Sequence, residues 1–264
     1  MQPQDLVITL LGVHVREPGR HVWSGGLVEL LGEFGFSEGA ARVALTRLVR
    51  RGLLRRVRSG RHVHYCVTER CDRLLAEGDG RIFTLGHPRA GGDGWTLLLH
   101  QIPESRRFEL SRLARRLRFL GFGSVPDGVW VSPHDHLDEV SRLLADLGLD
   151  TFATVFIASP GAGAESLVAR AWDLSGLADR YDAFCAEFGD MHVLSDSEAF
   201  FVRTRAVHMF RGFPPLDPEL PEELAPLGAS RERAVEIFES VYGRLREPAQ
   251  RHFDAVAGAQ VLTA

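Results

Sequence analysis

Lysine is missing from this chain: all 31 of its basic side chains are arginine. Its permanent side-chain cations are therefore all guanidinium groups, whose planar fork can pair with phosphates or the edge of guanine bidentately. Cysteine is scarce as well. The three present (66, 71 and 185) are an odd number without a CxxC pair, which argues against a disulfide framework and a zinc ribbon. There is no run of eighteen apolar residues and no charged-then-apolar leader, so neither membrane insertion nor secretion is expected, and the expected location is cytoplasmic. With 264 residues, 45% hydrophobic and 25% charged, the composition is that of a folded protein of two or three domains, not a disordered or fibrous one.

What is present concentrates in Gly35 to Thr68. Ser37 stands where an N-cap belongs, and from Glu38 a helix is predicted in which Ala41, Ala44, Leu45 and Leu48 recur at i, i+3, i+4 and i+7. Arg42, Thr46, Arg47 and Arg50 occupy the other face. Gly52 ends the helix, and two strands, Leu53 to Arg58 and Arg61 to Val67, are predicted around Ser59-Gly60. Between Arg42 and Arg73 ten arginines face two acids, within a chain of net charge −4. That is the electrostatic footprint of a nucleic-acid surface. Helices predicted over Asp5 to Val15 and Ser24 to Phe34 complete a helix-turn-helix, the two strands form its wing, and Glu69 to Gly80 closes it. By analogy with that motif, Ser37, Arg42, Val43 and Thr46 are expected to meet base edges, and Arg47, Arg50, Arg58 and Arg61 to hold phosphates.

The segment His87 to Gly94 reads as a hinge, rich in Gly and Pro. Beyond it come a strand (95–102), a helix (Ser105 to Leu120), a short strand near Gly123 to Pro126, a strand (129–133), a helix (Leu137 to Gly148) and a strand (151–158). The order βαββαβ is that of a ferredoxin-like domain, which often pairs through its sheet, so a homodimer is expected. From Ala164 the pattern is helical. Prolines 214, 215, 218, 221 and 226 interrupt it before a helix predicted over Arg231 to Val256. The expected class is thus α+β, with a winged helix-turn-helix at 1–86, a ferredoxin-like dimerisation domain at 94–160 and a helical effector or dimer domain at 161–264.

These residues, taken together, resemble the PaaX family of bacterial transcriptional repressors, named for control of phenylacetic acid catabolism. The likeness rests on VWSGGLVELLGEFGFSEGAARVALTRLVRRGLL (22–54), SGRHVHYCVT (59–68), LGFGSVPDGVWVSP (120–133), AWDLSGL with Tyr181 and Phe184, and above all HMFRGFPPLDPELPEELAP (208–226). The resemblance implies a dimeric repressor, bound to double-stranded operator DNA and released by an aryl-CoA thioester, phenylacetyl-CoA in the founding members. It implies a middle domain similar to a small CRISPR-associated nuclease, and no cofactor. One departure is that Leu227-Gly228-Ala229-Ser230 stands where the family usually has a Trp-Pro-Gly element. For the effector, Arg203, His208 and Arg211 are candidates for the phosphates, with Trp172 and Tyr181 for the aryl group. The arginines at 106, 107, 112, 115, 116 and 118 are a second candidate set for CoA phosphates, or else simply the solvated face of their helix.

Catalytic readings are weaker. Gly35-Phe36-Ser37-Glu38-Gly39 matches GxSxG, but a nucleophile elbow needs a strand before it, and here an amphipathic helix precedes it. A metal-dependent nucleic-acid-processing enzyme built on the middle domain is the alternative function. Such a nuclease places an aspartate at the end of its first strand, where this chain has His100-Gln101-Ile102. His62, His64 and Cys66 alternate on one wing strand and suggest a metal sensor, or else exposed donors near phosphates. His134-Asp135-His136 reads as a loop capping the next helix. No metal site is expected.

Overall fold

In the computed structural model the described residues are 1–15, 20–87, 94–225, 227–258 and 260–261. The architecture is α+β, with two four-stranded sheets among the described residues. The chain divides into two compact units. The first comprises Met1–Phe83, Ala186–Arg211 and Glu236–Ala264, the second Thr84–Cys185 and Gly212–Val235. Residues of the 161–264 range contribute to both units.

In the first unit, α1 (Pro3–His14) starts on a proline, whose missing N–H costs nothing in a first turn, and buries Leu6, Val7, Leu10 and Leu11. The next helix, α2 (Ser24–Glu33), buries Leu27, Leu30 and Leu31. It ends where Gly35, at φ +83°, lets Phe36 N–H return to the Leu31 carbonyl at 3.2 Å. Helix α3 (Glu38–Arg50) follows and buries Ala41, Ala44, Leu45 and Leu48. Gly52, at φ +67°, turns the chain into β2 (Leu54–Ser59), which pairs antiparallel with β3 (His62–Val67). Helix α4 (Glu69–Ile82) is capped by Thr68, whose oxygen accepts from Cys71 N–H at 3.2 Å and whose hydroxyl donates to the Gly52 carbonyl at 2.8 Å.

Two further strands enlarge the expected pair. β1 (Arg20–Trp23) pairs antiparallel with β3, and β8 (Gln260–Val261) with β1, giving the order β2-β3-β1-β8. Helices α9 (Asp196–Phe210) and α11 (Arg246–Ala257) complete this unit, α9 packing on α1 and α11 on α2. The approach to α2 is close: a Cβ on Gly26 would stand 2.3 Å from the Val256 carbonyl oxygen. The single helix expected over Arg231 to Val256 is divided at Leu245, giving α10 (Gly228–Arg244) and α11.

The second unit holds β4 (Trp95–His100), α5 (Arg107–Phe119), β5 (Gly123–Val125), β6 (Val129–Ser132), α6 (Leu137–Leu147) and β7 (Ala153–Ala158). All pairs are antiparallel and the sheet order is β5-β6-β4-β7, with Leu98 opposite both Trp130 and Val155. Leu98 and Trp130 form one core with Leu113, Leu117, Val140 and Leu144 from the two helices. Helix α7 (Ala164–Ala171) lies against β5, where a Cβ on Gly123 would meet Ala171 Cβ at 2.6 Å. α8 (Leu174–Phe188) follows. Residues 88–93 of the expected hinge lie outside the described residues.

The proline-rich connection is held by one carboxylate. Asp217 accepts from the Tyr181 hydroxyl at 2.6 Å, from Arg231 Nε at 2.7 Å and Nη2 at 3.0 Å, and from the Glu219 backbone N–H at 2.7 Å. Tyr181 stacks on Phe213 with ring centroids 4.2 Å apart. Four donors on one buried carboxylate satisfy its lone pairs and offset its desolvation. The most family-specific run of the sequence thus acts first as structure.

Candidate nucleic-acid interface

The helical period sends Arg42, Val43, Thr46, Arg47 and Arg50 away from the buried face of α3, and all five are exposed. Ser37 is exposed too, and its Oγ accepts from Ala40 N–H at 3.3 Å, the N-cap role read from the sequence. Arg42 is already engaged. Its Nε donates to Glu38 Oε1 at 2.8 Å, an exposed i, i+4 pair that contributes little to stability. Thr46 donates its hydroxyl hydrogen to the Arg42 carbonyl at 2.9 Å, which leaves its oxygen as an acceptor. Val43, 49% exposed, puts an apolar surface amid these polar groups, of the kind that meets a thymine methyl. Arg47 and Arg50 have no carboxylate partner among the described residues.

The basic surface continues along the β2–β3 hairpin, where Arg55, Arg56, Arg58 and Arg61 are exposed. The third strand changes the reading of the histidines. His62 is exposed and meets Trp23 edge-on at 6.0 Å, but His64 and Cys66 are buried, on a strand that β1 joins with Trp23 opposite His64. They are not exposed donors. Cys66 Sγ lies 3.6 Å from the Arg55 carbonyl oxygen, and burial first, then His21 and His62, lowers the His64 pKa. Among the described residues no three His, Cys, Asp or Glu side chains are placed to share a metal ion. At the end of β4, His100 Nε2 accepts from Trp130 Nε1 at 3.4 Å.

The effector candidates fall in different units. Arg203, His208 and Arg211 belong to the first, and their donors face α1 and α10. Arg203 is only 2% exposed. Its Nε donates to the Tyr242 carbonyl at 3.0 Å, and its guanidinium lies 4.2 Å from the centre of the Tyr242 ring. His208 Nδ1 stands 3.0 Å from Thr9 Oγ1, and Arg211 Nη1 donates to Thr9 Oγ1 at 2.8 Å and to the Asp5 carbonyl at 3.1 Å. Burial holds Arg203 and Arg211 below the usual arginine range, and burial followed by Arg211 takes His208 down to about 4. Trp172 and Tyr181 belong to the second unit. Trp172 is half-buried and donates to the Gly121 carbonyl at 3.2 Å, and Tyr181 is buried, its pKa raised by burial and then by Asp217.

Sequence reasoning passed over His14. Its Nδ1 stands 3.2 Å from Gln250 Oε1 and its Nε2 3.2 Å from Thr204 Oγ1, while its ring stacks on Phe253 at 4.8 Å. Burial, then Arg203, lowers its pKa to about 3, so it is a neutral link between α1, α9 and α11. Its placement at the end of a helix pattern was visible, but partners some two hundred residues away were not.

Residues 2–71 match the family model of PaaX-like proteins, 88–169 that of the PaaX central Cas2-like domain, and 172–255 that of the PaaX-like C-terminal domain. The transcriptional repressor PaaX of Escherichia coli strain K12 is 27% identical over 254 residues, covering 91% of this chain and 79% of that protein. A solved structure of an uncharacterised protein from Mycobacterium tuberculosis superposes with a TM-score of 0.53 at 25% identity, covering 85% of this chain and 90% of the other.

Proposed function

This chain belongs to the PaaX-like protein family, and from that premise we propose that it is a dimeric repressor of an aromatic-acid catabolic operon of the phenylacetate type. It is a DNA-binding regulator and not an enzyme, as its repressor relative indicates. The carrying observation is the exposed basic face of α3 continued by the arginines of the β2–β3 hairpin. In this proposal α1 to α4 with the hairpin form a winged helix-turn-helix. Ser37, Arg42, Val43 and Thr46 read base edges, and Arg47, Arg50, Arg58 and Arg61 hold phosphates.

The sheet order β5-β6-β4-β7 supports a ferredoxin-like middle domain. β7 pairs only with β4 among the described residues, and Phe156 and Ile157 on it are exposed, so a second copy can extend or cover this edge. On this reading the dimer sets two recognition helices at the spacing of a two-fold operator in the cytoplasm. An acyl-CoA thioester, phenylacetyl-CoA or a related one, releases the protein by favouring a DNA-incompetent arrangement. Within the first unit, a phosphate accepting from His208 and Arg211 would replace the contacts they make to α1.

Fluorescence anisotropy tests this, with the purified protein on its own upstream intergenic DNA, random duplex as competitor, and phenylacetyl-CoA or free phenylacetate as titrant. Specific binding reversed by the thioester and not by the free acid is expected. Equal affinity for upstream and random DNA would overturn the repressor reading.

A further inference from the structure

Helix α5 carries a second basic surface, away from the wing arginines in sequence and in the other unit. From Glu104 to Arg118 six arginines (106, 107, 112, 115, 116, 118) stand against two glutamates. Their distribution round the helix is uneven. Leu113 and Leu117 are buried in the sheet core, and one of the two glutamates is drawn off: Glu109 lies 3.6 Å from Arg106. Arg116 is spent on Glu139 of α6, at 2.6 Å. Arg107, Arg112, Arg115 and Arg118 remain exposed, without a carboxylate partner among the described residues, and Arg118 lies over the Trp130 ring at 5.4 Å.

One large apolar side chain shares that face. Phe108 is 70% exposed, beside Arg112 and Arg115 on the helical net. A solvated charged face does not need such a residue, and an aromatic ringed by arginines is the composition of a contact surface. The face is a convex helix side, whereas a small acyl-CoA is bound in a concavity that covers most of its surface. A second copy about a two-fold axis would bring like charges together. A polyanion needs no concavity and is complementary to four unpaired guanidinium groups.

We propose that the face of α5 formed by Arg107, Phe108, Arg112, Arg115 and Arg118 is a second duplex-DNA contact, holding the phosphate backbone independently of base sequence. From Arg107 to Arg118 the helix rises about 16 Å, on the order of five base-pair steps. The contact adds affinity and residence on DNA without adding specificity. It rests on the DNA-binding reading above.

The test compares wild-type protein with the full-length variant R107Q/R112Q/R115Q/R118Q and with F108A, on a long upstream duplex, a random duplex of equal length and a single strand, across a salt series. Since each phosphate contact contributes a slope of about 0.9 in log K against log salt, loss of the four arginines should flatten the slope by two or more and weaken both duplexes tenfold or more at low salt. The preference for upstream over random DNA should stay unchanged. F108A should weaken both duplexes by a smaller, nearly salt-independent factor. Unchanged slope and affinity in the quadruple variant, while wild type still binds its site specifically, would overturn the inference and leave the repressor reading standing. So would loss confined to the single strand or to the thioester response. Absence of DNA binding by wild type would remove both.

Discussion

Replacing Asp217 tests whether the proline-rich connection is fastened as described. The Asp217 side chain is fully buried and its partner Arg231 is 13% exposed, so the pair is shielded from solvent screening. Asp217→Ala would leave the Arg231 guanidinium without its counter-ion and the Tyr181 hydroxyl without an acceptor. Breaking a buried pair from one side costs about 3–5 kcal/mol. Tyr181→Phe removes one donor and leaves three, at a cost of about 1 kcal/mol. The position of the tryptophans makes the assay specific: Trp95, Trp130 and Trp172 lie in the second unit and Trp23 in the first. In a Trp23→Phe background, tryptophan fluorescence during urea unfolding therefore reports the second unit. With m near 1–3 kcal/mol/M, Asp217→Ala should lower the midpoint by roughly 2 M and Tyr181→Phe by well under 1 M. A midpoint for Asp217→Ala within a few tenths of wild type would refute the reasoning, as would a Tyr181→Phe shift as large as that of Asp217→Ala.

Other consequences follow from the first unit. Arg42→Ala should relax discrimination between upstream and random DNA, whereas Arg61→Ala should weaken both alike and flatten the salt slope by about one; equal losses on both DNAs for Arg42→Ala would sink its base-reading role. His14 is neutral when folded until pH falls to about 3, while the unfolded chain takes up its proton near 6.5, so the stability it permits is present above 6.5 and lost on acidification. Between pH 6.5 and 5 that loss is about 2 kcal/mol, and His14→Gln should flatten the dependence of the unfolding midpoint over this window. Gly26→Ala places a methyl against the Val256 carbonyl and should destabilise the protein by about 1–3 kcal/mol, read as a lower melting temperature, with α11 displaced from α2.

Much of the fold could be read from local pattern. The caps at Ser37 and Thr68, the apolar face of α3 and the glycine at 52 fix their elements within a few residues of chain, which is why helix and hairpin agree with expectation to a residue or two. The βαββαβ order followed in the same way from changes of period. β1 and β8 were not legible, because four and two residues are too short to show alternation, and their pairing joins opposite ends of the chain. The division at Leu245 did have a signal. Pro248 is tolerated in a first helical turn and not in the middle of a helix, so it marks the start of α11. Arg203, His208 and Arg211 drew attention as charged residues beside a distinctive run. Only the fold shows that α1 already uses His208 and Arg211, and that Arg203 lies buried against Tyr242.

The clasping of α1 and α2 by α9 and α11 has a consequence during synthesis. That part of the chain leaves the ribosome early, but about 210 residues separate α2 from α11, the last helix that covers it. At about 5–20 residues per second its apolar faces wait on the order of ten seconds or more for their cover. In that interval the face of α2 that α11 will cover, around Gly26, is surface, and the nascent segment is a natural client for chaperones. A message cut short after the second unit would yield a chain with every side chain proposed to read DNA present and an unfinished core beneath them.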